Sequence, residues 1–352
     1  MSDFVERPKA LVRRPVAAIV AIYEAARRIL PGVCIAVLVA MSAMLVNEHQ
    51  GGPVMLMALL MGMAVGFLRD DPRLQTGLVF AGSSVLRFGV ALLGARITVQ
   101  YLADLGWVAL LVVISGVVLS IATGIGLARF FGRSSWFGIL TGGAVGICGA
   151  SAAAALSAVL PQHEKSDADT AMTIIGVTAL STIAMVAYPI LSTAVGLDDR
   201  ATGFFLGVTI HDVAQVVGAG YSISDQAGNL AVVVKLFRVL MLVPVILIVT
   251  VSARLAVRQT KSARLGLPGF VVGFALLVAA GSLGLIPAEI GFALSSVSRW
   301  CLIIAIAAIG INTSIGEIRR LGYRPAVILG GATTAIGVFG LVAAILLFAP
   351  GT

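Results

Sequence analysis

Apolar residues along this chain fall into runs too long and too uniform to be one face of a soluble domain. Eleven segments can be marked, at about 32–46, 53–68, 77–95, 106–128, 136–160, 171–195, 202–220, 229–251, 268–285, 290–311 and 324–348, separated by short polar or basic stretches. Apolar runs of about 18 or more residues read as membrane-spanning helices. The pattern predicts an all-α polytopic membrane protein with about eleven transmembrane helices, forming a single membrane domain over 32–348. Ahead of it, segment 1–31 carries Arg7, Lys9, Arg13 and Arg14 and then the amphipathic run PVAAIVAIYEAARRIL. That composition predicts a cytoplasmic N-terminal segment whose amphipathic helix lies on the anionic membrane surface. Nothing in its first 30 residues has the form of a cleaved signal peptide.

Two segments depart from a uniform apolar helix. Gly142 to Leu156 reads GGAVGICGASAAAAL, a cluster of glycines followed by an alanine run. Glycine weakens helix interiors and alanine favours them, so the segment predicts a helix that breaks and restarts. A helix that restarts inside the bilayer offers unpaired N–H groups and a positive dipole end, which is an anion site requiring no basic side chain. Gly146, Gly149, Ala150 and Ser151 are the candidate substrate contacts there. The second segment, Gly207 to Ser224, reads GVTIHDVAQVVGAGYSIS and places His211, Asp212 and Gln215 among apolar residues. An intramembrane carboxyl is expensive, so Asp212 must meet a partner, face water or be protonated. Lys235 and Arg238 stand three apart on the following segment and share a helix face. Two readings stay open: a buried ion pair that locks helices together, or a midplane site in which Gln215, Lys235 and Arg238 bind substrate. In the second reading His211 and Asp212 handle coupling, His211 being the group that titrates near neutral pH.

Composition removes other classes. The chain is 59% hydrophobic and 11% charged, with a mean hydropathy of +1.06. Its net charge of +8 does not mark a nucleic-acid binder, because the basic residues sit between spans. With the N-terminus inside, nearly all of them flank one membrane face and only Arg96 and Lys165 the other, so the positive-inside rule predicts a cytoplasmic N-terminus and an external C-terminus. Cys34, Cys148 and Cys301 lie apart in apolar segments, predicting no disulfide framework and no metal site. No cofactor is implied. Within the membrane Arg87, Lys235, Arg238 and Arg299 oppose Asp212, with Glu289 at an edge, so an anion is favoured over a cation, which would need several carboxylates. Ser181 and Thr182, in a segment that Pro189 is expected to kink, are candidate hydroxyl donors to an oxyanion. Asn312 and Thr313 read as helix-end chemistry.

An internal repeat also emerges. SSVLRF, from Ser83 to Phe88, is echoed by SSVSRW, from Ser295 to Trp300, and GARITVQYLADLGW, from Gly94, by GINTSIGEIRRLGY, from Gly310. An odd number of crossings separates the copies, which predicts inverted orientation, the mark of secondary transporters. Arg87 and Arg299 are equivalent residues of the copies. They are open to substrate contact or to a structural role, and the structural role is the expectation.

GICGASAAAAL, STIAMVAYPIL and above all IHDVAQVVGAG followed by VKLFRVLML resemble the YeiH family of bacterial inner-membrane proteins, commonly labelled sulfate exporters. The resemblance covers about residues 30 to 348. Through the related superfamily of sodium/proton antiporters and bile-acid symporters, it implies two broken helices crossing at the midplane, Gly142 to Ala155 and Gly207 to Gly220. The reading is a secondary transporter of the bacterial inner membrane that exports a small oxyanion such as sulfate, sulfite or an organosulfonate. Its partners are that anion and the lipid bilayer, with a homodimer as the candidate assembly. A passive anion channel is the alternative. A membrane-embedded enzyme is disfavoured, because His49 and His163 fall in outer loops and leave His211 without a metal set or nucleophile.

Overall fold

A computed structural model describes residues 7–50, 54–96, 106–161, 164–256, 269–313 and 323–348. Among these, every regular element is a helix. In chain order they are α1 (Arg7–Gln50), α2 (Val54–Ala64), α3 (Pro72–Leu93, with a π-helical turn at Ala81–Val85), α4 (Gly106–Phe130), α5 (Ser135–Gly146), α6 (Ala150–Ser157) and α7 (Ser166–Val195). They continue with α8 (Asp199–Thr209), α9 (Val213–Ile223), α10 (Asp225–Leu240), α11 (Leu242–Ala256), α12 (Gly269–Ser282), α13 (Ala288–Asn312) and α14 (Tyr323–Leu347). Seven stretches among the described residues are long and apolar enough to cross a membrane: α1, α3, α4, α7, α10 continued by α11, α13 and α14. The expected boundary at residue 31 falls inside α1. His163 and the basic residues Arg258, Lys261, Arg264, Arg319 and Arg320 lie outside the described residues, as do the repeat-copy positions 97–105 and 314–322.

The two interrupted segments do not cross; each turns back on itself. Arg133, just before α5, forms an ion pair with Asp169 in the first turn of α7 at 2.5 Å. The side chain of Leu156 on α6 closes over Gly143 on α5, and Trp136 and Leu160 line one small cleft. The chain therefore enters along α5, reverses at 147–149 and returns along α6 to the face it left. The second segment repeats the device from the opposite face. Gly203 near the start of α8 packs on Ala227, and Gly220 near the end of α9 packs on Gly228, so both ends of the hairpin meet the first turns of α10. Between the hairpins α7 runs 30 residues, about 45 Å at 1.5 Å per residue, enough to carry the chain from one face to the other.

This corrects the expectation of eleven crossings and of two crossing broken helices. The two hairpins lower the expected count by two; seven of the remaining stretches among the described residues are long and apolar enough to cross, and α2 and α12 are shorter apolar helices. The parity is unchanged, so the first and last traverses still run in the same direction. Lys165 and Arg200 simply exchange faces, and Arg96 and Arg200 are left opposite the basic face. We expect Lys165→Cys, in a background without the native cysteines, to react with an impermeant thiol reagent from the same face as Arg254→Cys, and Arg200→Cys from the other. The eleven-crossing topology requires the reverse pairing.

The helices assemble in two groups. One contains α1, α2, α3, α12 and α13; the other packs α4, α7, α10 and α14 around the hairpins, and α9 touches both through α2 and α13. The helices carrying the repeat motif run antiparallel, as inverted orientation demands. Gly82 and Gly89 of α3 meet Ile309 and Ser298 of α13, and Gly116 and Leu127 of α4 meet Phe339 and Gly331 of α14.

Candidate functional site

Local rules explain where the hairpin arms begin. Ser134, Asp198 and Ser224 each accept a hydrogen bond from a backbone N–H three residues on, at 3.2, 2.7 and 3.1 Å, and so cap α5, α8 and α10. The breaks follow from backbone geometry. Gly149 sits at φ +66°, ψ −128°, a conformation open to glycine and strained for any other residue. Ile210 is extended and ends α8. The two tips touch: a Cβ on Gly149 would lie 3.6 Å from the carbonyl oxygen of His211.

At the tips, Lys235 and Arg238 are both wholly buried. Lys235 Nζ donates to the carbonyls of Ile147 at 2.7 Å and Ile210 at 2.9 Å. Arg238 donates from Nε to Gly146 at 2.8 Å, from one terminal nitrogen to Val145 at 2.7 Å, and from the other to Gly207 at 3.2 Å and Ile210 at 2.8 Å. Five carbonyls at the C-terminal ends of α5 and α8 are thus satisfied by two side chains from one face of α10. Orphan carbonyls buried in a membrane need such partners, and cations suit the negative end of the helix dipole. This corrects the expectation that Lys235 or Arg238 reaches the substrate directly: their donors are turned to the backbone. It also removes the buried ion pair, since neither residue pairs with Asp212 among the described residues.

The other candidates gather round the same tips. Ser181 Oγ accepts from the backbone N–H groups of His211 at 3.2 Å and Asp212 at 3.1 Å, so it closes the second break and does not stand free for a ligand. Thr182 gives its proton to Thr178 O and accepts from Gln215 Nε2 at 2.9 Å, leaving Gln215 Oε1 buried without a partner among the described residues. His211 Nε2 lies 3.0 Å from Thr333 Oγ1 of α14, a partner that sequence reasoning missed because a threonine in an apolar helix carries no distinguishing signal. Asp212 caps α9 weakly, at 3.4 Å to Ala214 N, and is partly exposed. The first turn of α6 has no capping side chain; Ala150 is partly exposed and Ser151 exposed, while Gly146 lies within the buried tip. No group of metal-ligating residues occurs among the described residues.

The charges can be weighed. Each helix end carries roughly half an elementary charge, so the two N-termini and two C-termini at the tips nearly cancel. Lys235 and Arg238 against an ionised Asp212 then leave about one net positive charge, rising to about two when Asp212 is protonated. We expect Gly149→Ala to disturb this arrangement through backbone strain of about 1–3 kcal/mol, read as a lowered thermal midpoint in detergent.

The fold and site define a multi-pass, all-helical membrane protein built on opposed hairpins. The family described as conserved hypothetical protein 698 matches residues 31–329. A UPF0324 membrane protein of Chlorobaculum tepidum is 47% identical over 317 residues, covering 89% of this chain and 88% of the relative. The UPF0324 membrane protein TauZ of Paracoccus denitrificans is 49% identical over 313 residues, covering 88% and 93%. The chain belongs to this UPF0324 family of membrane proteins. No solved structure matches it.

Proposed function

We propose that the protein is a secondary transporter of the bacterial inner membrane that exports a small oxyanion, such as sulfate, sulfite or an organosulfonate, without chemically altering it. The N-terminus and the basic face are cytoplasmic in this reading, by the positive-inside rule. The observation that carries it is the meeting of two hairpin tips from opposite faces, where the first turn of α6, at Ala150 and Ser151, has no capping side chain and lies beside the Asp212 backbone. Discontinuous helices at the midplane are the usual site of substrate binding in secondary transporters, and half-helix N-termini point at anionic groups. Lys235 and Arg238 hold the frame in which those N–H groups act, and Asp212 with His211 couples binding to protons.

The test is anion-induced thermal stabilisation of purified protein together with counterflow in proteoliposomes. Stabilisation by at least one of sulfate, sulfite or methanesulfonate at millimolar levels, with counterflow of that anion, supports the reading. No response to any of them overturns it, and unitary currents without counterflow would make the protein a channel.

A further inference from the structure

The repeat motif SSVxR leaves an arginine inside two spans, Arg87 in the last third of α3 and Arg299 near the middle of α13. Both side chains are exposed, and neither donates a hydrogen bond or forms an ion pair among the described residues. A guanidinium without a partner inside a membrane helix is costly in lipid and belongs in a wet cavity. Arg299 lines one: a cavity of about 680 Å³, opening toward the face opposite the basic one, between α13 with the start of α2 and the base of the α8–α9 hairpin. Its size is that of small-molecule sites in general. Asp225 on its wall already has a partner, so Arg299 is the available charge there. Arg87 stands just after the π-helical turn of α3, a feature frequent at functional sites, on a helix that packs against α13 at Gly89 and lines the same cavity with Leu93. By contrast, Lys235 and Arg238 are engaged by backbone carbonyls.

We propose that these two arginines, one from each inverted copy, are the side chains that contact the transported oxyanion, Arg299 in the open cavity and Arg87 on the adjoining helix α3. This rests on the transporter reading above. A guanidinium presents a planar fork that matches two oxygens of a sulfo group.

The experiment compares wild type, Arg87→Gln and Arg299→Gln for thermal stabilisation by sulfate, sulfite and methanesulfonate, and for counterflow of whichever anion stabilises the wild type. Neither arginine supports the fold through a hydrogen bond among the described residues, so unliganded midpoints are expected to match the wild type. Apparent anion affinity is expected to fall about tenfold or more in each variant. A responsive wild type with unchanged variants overturns the assignment while leaving the transporter reading intact; an unresponsive wild type overturns both. Should a glutamine variant unfold, the corresponding lysine variant keeps the charge without the fork. A weakened response in that variant then supports the assignment, and an unchanged one overturns it.

Discussion

Arg238→Ala is expected to leave little folded protein. The guanidinium satisfies the carbonyls of Val145, Gly146, Gly207 and Ile210 at a wholly buried position where the two hairpin tips meet. Without it, the carbonyls of Val145, Gly146 and Gly207 lose the partner recorded for them, and only Ile210 keeps a bond, from Lys235. Each buried polar group left unpaired costs about 1–3 kcal/mol, and removing one partner from a buried charged network typically costs about 3–5 kcal/mol. A loss of that size lowers the thermal midpoint by on the order of 10 °C in a chain of this length. Lys235→Met is expected to do less, because Arg238 still serves Ile210 and only the Ile147 carbonyl loses its sole recorded donor. Size-exclusion profiles and thermal unfolding in detergent check the ranking. Equal tolerance of both substitutions would mean that the tips are not held together by these bonds.

The second large effect concerns pH. Asp212 stands two residues after Ile210, whose carbonyl both Lys235 and Arg238 hold, and against the Gly149 tip, so its charge bears directly on the surplus available to an anion. Protonating Asp212 removes a negative charge from the site. At a separation of about 7 Å and an effective dielectric of about 20, that is worth roughly 2 kcal/mol, or about 30-fold in anion affinity. Wild-type affinity is therefore expected to weaken as pH rises through the titration of Asp212. Asp212→Asn fixes the neutral form, so it should bind anion tightly at all pH values and lose the pH dependence of transport. Anion titrations from pH 5 to 9 on both proteins decide it; parallel profiles would exclude Asp212 as the coupling group.

Much of the site was legible because its chemistry is exceptional for a membrane chain. The glycine cluster at 142–149, the His211–Asp212 pair and the cations spaced at 235 and 238 each break an otherwise apolar pattern, and all converge in space. Their roles were less legible. Ser181 reads in sequence as a donor awaiting an oxyanion, yet it accepts from the backbone of the second break. Arg299 reads as scaffold, yet it borders the large cavity. In each instance the residue type announced a polar interaction and left the partner undetermined, since the partners lie tens to hundreds of positions away.

The sequence by itself determined that this is a helical membrane protein, where its helices weaken, which face is basic and which charges lie in the bilayer. Hydropathy and propensity are sums over neighbouring residues, so they register those features without tertiary information. Only the tertiary structure decided that the two broken segments reverse instead of crossing, and that Lys235 and Arg238 serve carbonyls instead of a ligand. A segment of about 25 apolar residues with a glycine break is long enough either to span the bilayer or to turn back within it. The choice is made by long-range contacts, Arg133 with Asp169, Leu156 over Gly143 and Gly203 against Ala227, which no local pattern encodes. The same reversal leaves helix C-termini buried at the midplane, and it is those unpaired carbonyls that draw in the two cations.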